Sequence, residues 1–163
     1  LKKYKYIVWA DASIVIANPN FVVDIVNIVQ ESKSEMFIFE HYKRTNIHDE
    51  CNSSTILAKY DNQKLTEQVF SYYKAGYEDT KLCECGFFIY KQGERMSRVL
   101  DDWWNEILTH SYQDQISFPY VLWKNGVVPR FLNEPHFIKG SLEGSVWNNR
   151  LCGFVREHIT KTK

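Results

Sequence analysis

The sequence predicts an α/β domain, and two observations carry that expectation. Short runs rich in β-branched and aromatic residues alternate with segments whose apolar residues recur every three to four positions. Read in order, the elements run strand, helix, strand, helix, strand, helix, helix, strand, which is the α/β pattern. The chain has 163 residues, 44% of them hydrophobic and 15% aromatic, enough to bury a core within a single domain spanning 1–163.

The first run, Ile7-Val8-Trp9, reads as a buried strand that ends at Asp11, with Ser13 two residues on and facing the same way. Asn18-Pro19 is expected to cap and open a helix carrying Phe21, Val22, Ile25, Val26 and Val29. Met36 to Phe39 is a second strand, ending at Glu40-His41. The polar stretch Tyr42 to Ser54 reads as a surface loop or a short helix. Asp61 to Ala75 is helical, with Leu65, Val69 and Tyr72 or Tyr73 in a stripe and Gly76 as its C-terminal cap. Leu82 to Tyr90 is a strand interrupted by Gly86, and a glycine there signals a close approach by backbone or ligand. Ser97 is expected to cap a helix whose core face holds Val99, Leu100, Trp103, Trp104, Ile107 and Leu108. Gln113 to Lys124 is helical despite Pro119 and stops at Asn125-Gly126; Val127 to Leu132 is the last strand.

Twenty basic residues balance twenty acidic ones, which argues against a nucleic-acid binder. No apolar run reaches the roughly 20 residues of a membrane span, and no signal peptide is visible. Cys51, Cys83, Cys85 and Cys152 lack zinc-knuckle spacing. They read as buried small hydrophobes, with a disulfide left open.

Four clusters carry chemistry. Asp11 and Ser13 at a strand end could hold a hard divalent cation and, through it, a diphosphate; Asp11 could equally cap a turn. His41 and Arg44, in Glu40 to Arg44, suit a phosphate or a sugar carboxylate, or form a solvated charged run. Asp114 and Gln115 open a helix, where an acid is favoured electrostatically and Gln115 can pair with sugar hydroxyls. His136, in Pro135 to Gly140, can ligate a metal or serve structure alone.

The succession WADAS (9–13), EHYKR (40–44), TEQVFSYYKAG (66–76), CGFFIYK (85–91) and WWNEI followed by QDQISFPYVLW resembles the MUCI/TOD-type glycosyltransferase-like domain family. The resemblance covers nearly the whole chain, with QDQISFPYVLW its most specific part. It implies a GT-A-like nucleotide-sugar transferase fold, a mixed sheet flanked by helices. It also implies base-gripping strands ahead of the metal motif. Only about six residues precede the first strand here, so the chain is expected to be the C-terminal portion of a catalytic domain, without its N-terminal nucleotide-binding part.

The resemblance further implies transfer of a sugar from a nucleotide diphosphate sugar to a glycan or glycoconjugate hydroxyl, assisted by Mn²⁺ or Mg²⁺. Asp11 and Ser13 take the metal position, with Ser13 where the family motif has a second Asp. His136 resembles a late histidine that completes such metal sites, with its spacing to Gly140 off by one. Asp114 is the implied acid or base, with Gln115 beside it; Gln113 stands where the family carries a basic residue. His41 and Arg44 contact the donor, and Gly86 lines the acceptor side. Two other readings remain at this point: a metal-dependent, ceramidase-like hydrolase, and a non-catalytic glycan-binding module. The compartment is open, cytoplasmic if the source is microbial or viral and the Golgi lumen if it is eukaryotic.

Overall fold

The computed structural model describes residues 3–16, 18–132, 147–148 and 152–154. His136 lies outside the described residues. The main sheet has four strands: β1 (Tyr6–Ala10), β3 (Met36–Glu40), β4 (Cys83–Lys91) and β5 (Arg130–Phe131), in the order β1-β4-β3-β5. β4 is antiparallel to both β1 and β3, and β5 is parallel to β3. The sheet is therefore mixed, and β1 and β3 end on the same side. A small antiparallel sheet joins β2 (Ile14–Val15) to β7 (Gly153–Phe154) and β6 (Trp147–Asn148).

Strand alternation sends β4 side chains to two cores. Phe87 and Ile89 face α1 (Phe21–Gln30), where they meet Ile25, Ile28, Val29, Phe37 and Phe39. Phe88 and Cys85 face α4 (Glu94–Thr109) and α5 (Asp114–Lys124), where they meet Ile38, Met96, Val99, Phe118 and Val121. A third core holds α2 (Ile47–Thr55) and α3 (Leu65–Lys74) against Ile116 of α5.

Several expectations need correction. β1 is an edge strand, so Val8 and Trp9 are exposed, not buried. The first helix starts at Phe21, because Asn18 instead closes a turn, accepting from the Asn20 amide at 2.8 Å. Val22 and Val26 face outward and Ile28 inward, so the buried stripe is rotated around the helix. α4 begins at Glu94 behind Gly93, three residues before Ser97, and Trp104 and Leu108 lie on its exposed side. Trp103 packs against Phe118 at 4.3 Å between ring centroids, as a core tryptophan should. The last strand shortens to Arg130–Phe131, since only Phe37 and Ile38 pair with it. The polar stretch from Tyr42 forms α2, capped by the Asn46 side chain accepting from the Asp49 amide at 2.8 Å. All four cysteines are buried and free.

Candidate active site

The site begins with a defect in a strand. Ile38 pairs with Phe88, yet Phe39 pairs with Glu84, so β4 carries extra residues at Cys85, Gly86 and Phe87. Such a bulge bends the strand and re-aims its side chains. β1 follows the bulge on the other edge: Ala10 pairs with Phe87, and the Asp11 amide donates to the Gly86 carbonyl at 2.8 Å. Ile7 and Trp9 share the α4–α5 side of the sheet with Phe88, and Asp11 continues that alternation toward the start of α5. The Gly86 signal in the sequence thus marks a bulge. A Cβ there would stand 3.6 Å from Glu84 Oε1 and 3.8 Å from Ile14 Cδ1, which is ordinary contact.

A cavity of about 400 Å³ opens beside the bulge, within the range of small-molecule sites. Asp11, Arg44, Gly86, Asp114 and Gln115 line it, so five residues singled out in the sequence meet there. Ser13 sits behind Asp11 and donates its hydroxyl to Asp11 Oδ2 at 3.0 Å. His41 is buried and is not on the wall. Its Nδ1 accepts from the Lys43 and Arg44 amides at 3.1 and 2.9 Å, which folds the turn that delivers Arg44. Its Nε2 lies 3.1 Å from a terminal nitrogen of the Arg44 guanidinium, so the ring braces both the backbone and the side chain of Arg44. Burial, helped by the Arg44 and Lys43 charges, lowers its pKa to about 4. The imidazole is therefore a neutral scaffold beneath the site.

Trp9, Glu50, Lys59 and Glu84 also line this wall, and the sequence reading names none of them as a site residue. Glu50 is 2% exposed and pairs with Arg44 Nε. Its Oε1 accepts from Gln113 Nε2 at 2.6 Å and from the Ser54 hydroxyl at 3.1 Å. Gln113 thus satisfies a buried carboxylate. Glu84 is also buried; Gln115 Nε2 donates to it at 3.3 Å. The signal for Glu84 is legible in Cys83-Glu84-Cys85: a lone acid inside an apolar strand is costly unless it has a task. No such signal exists for Glu50, which is hidden among polar neighbours. Lys59 lies over the Tyr60 ring, its Nζ 4.5 Å from the centroid.

The electrostatics follow from burial. Desolvation, then the Asp114 charge, raises Glu84 to about 7. Desolvation raises Asp114 to about 6, partly offset by the hydrogen bond from the Gln115 amide at 2.8 Å and by Lys59. Both carboxyls therefore exchange protons near neutrality, where acid–base catalysis is efficient.

Among the described residues, no three His, Cys, Asp or Glu side chains converge to cage a metal ion. The donor chemistry fits another arrangement. Mg²⁺ and related ions are often held by one or two carboxylates together with substrate phosphates. Asp11, whose charge is felt by Asp114, is a carboxylate on the cavity wall that could take this place.

Residues 1–135 match the family model described as TOD1/MUCI70, glycosyltransferase-like domain. No curated protein and no solved structure matches the chain. Among the described residues, no helix is long and apolar enough to cross a membrane.

Proposed function

Because the chain belongs to the TOD1/MUCI70 glycosyltransferase-like domain family, we propose that its cavity transfers a sugar from a nucleotide diphosphate sugar to a hydroxyl of a glycan, on a GT-A-like plan. The observation that carries this reading is the convergence of two buried carboxyls, Asp114 and Glu84, on one wall with Asp11 and the cations Arg44 and Lys59. In the transfer, the acceptor oxygen bonds to the anomeric carbon while that carbon's bond to the diphosphate oxygen breaks. The electron pair leaves with the diphosphate, and the hydroxyl proton passes to a carboxylate.

Asp114 takes that proton, with Gln115 holding a neighbouring hydroxyl. Lys59, whose charge is felt by Asp114 on the same wall, meets the diphosphate. Arg44 lends the same wall a guanidinium already oriented by Glu50. Asp11, its carboxylate steadied by the Ser13 hydroxyl, would hold Mn²⁺ or Mg²⁺, and that ion would supply further neutralisation of charge on the leaving group.

Titration of UDP and GDP with and without Mn²⁺ tests the donor half. Metal-dependent binding by the native chain, lost in Asp11→Ala, is expected. Equal binding by the native chain and Asp11→Ala removes Asp11 from the site.

A further inference from the structure

We propose that Trp9 is the plate on which a pyranose ring of the acceptor stacks, its half-exposed indole backed by Phe88 and rimmed by Asp11, Glu84, Asp114 and Gln115. The inference rests on reading the cavity as a sugar-transfer site. Trp9 is 53% exposed, a large apolar surface left in water. Its ring is nonetheless held in place: it stacks on Phe88 with centroids 6.1 Å apart and planes 19° from parallel. Its indole N–H makes no hydrogen bond to a described residue. Trp103, Trp104 and Trp123 lie away from the cavity, whereas Trp9 lines it.

A pyranose presents a face of C–H groups and a rim of hydroxyls. The face suits an aromatic plate, and the rim suits carboxylates, which accept from hydroxyls, and an amide, which can do both. Both features occur here on one wall, and Trp9 precedes Asp11 by two residues on the same side of its strand. A ring on Trp9 therefore lies beside the carboxyls that exchange protons. A nucleobase also stacks on indole, but its edge needs donors and acceptors matched to it. The amide of Gln113 is committed to Glu50 and Ser54, and the rest of this rim is rich in carboxylates. That balance favours a polyol.

The test uses the methyl pyranosides of glucose, galactose, mannose and xylose as probes. Indole N–H signals are followed by NMR, with that of Trp9 identified by its loss in Trp9→Phe. At least one pyranoside should move the Trp9 signal and leave that of Trp104 in place. Trp9→Ala should weaken that binding about tenfold, roughly the worth of covering one indole face, and Trp9→Phe should keep part of it. The proposal is overturned if no pyranoside moves the Trp9 signal, if Trp9→Ala binds as the native chain does, or if UDP moves that signal and displaces the pyranoside from it. Trp9-dependent pyranoside binding with no nucleotide binding at all would defeat the transferase reading and leave the plate standing.

Discussion

Replacing Glu84 by Gln should flatten the pH dependence of stability. Glu84 is raised from its ordinary 4.5 to about 7, first by burial and then by the Asp114 charge. The folded chain therefore holds that proton more tightly than the unfolded chain does. Below about pH 4.5 both states are protonated and the group takes nothing from stability. Between 4.5 and 7 the unfolded chain ionises first, so native stability falls as pH rises, and above 7 the full difference stands. The gap of about 2.5 pH units, at about 1.36 kcal/mol each, comes to about 3 kcal/mol. Glutamine fills nearly the same space without ionising. Urea denaturation at pH 5 and pH 8 measures the effect. Glu84→Gln should match the native chain within about 1 kcal/mol at pH 5 and exceed it by about 2–3 kcal/mol at pH 8. Asp114, raised to about 6, adds a slope of the same sign to both chains. His41, lowered to about 4, adds a slope of the opposite sign to both chains, so the difference between the two chains carries the test. Equal destabilisation of Glu84→Gln at both pH values would refute the reasoning.

Two further substitutions separate scaffold from chemistry. Glu50→Ala strips Arg44, Gln113 and Ser54 of a shared buried acceptor. It should cost about 3 kcal/mol in urea denaturation, whereas Glu50→Gln should recover part of that. Gly86→Ala adds a methyl at ordinary contact distances on the cavity wall, so thermal unfolding should move by less than about 1 kcal/mol while transfer activity falls. A large loss of stability there would mean that the bulge needs glycine for its backbone.

The sequence was most readable where one local rule governs. The α3 stripe of Leu65, Val69 and Tyr72 is buried as its spacing predicts, and Gly76 closes the helix with φ +87°. Legibility failed where burial depends on a neighbour. Trp9 has the composition of a buried strand, but nothing local reveals that β1 lies at the sheet edge. Trp104 fits the α4 stripe by spacing, yet α5 covers only the Trp103 side. The site divides in the same way. Asp11, Arg44, Asp114 and Gln115 stand at element ends, where functional groups are expected, and they converge. Glu50 belongs to a polar run whose burial arises only when Gln113 and Ser54 close over it. His41, named with Arg44 as a donor contact, is buried behind the wall, and nothing local in the sequence reveals that its Nδ1 accepts from the amides of the turn that carries Arg44.

Turnover is the most direct test of the transferase account. The native chain and Asp114→Asn are incubated with Mn²⁺, a panel of UDP- and GDP-sugars and a mixture of oligosaccharides, and products are identified by mass spectrometry. The account predicts that the native chain extends an oligosaccharide by one sugar residue and releases one nucleoside diphosphate for each transfer. Asp114→Asn, with its fold intact by circular dichroism, should be slower by about 10²-fold or more, the usual scale for losing a positioned acid–base group. Equal rates from the two chains, or release of free sugar with no lengthened oligosaccharide, would contradict it.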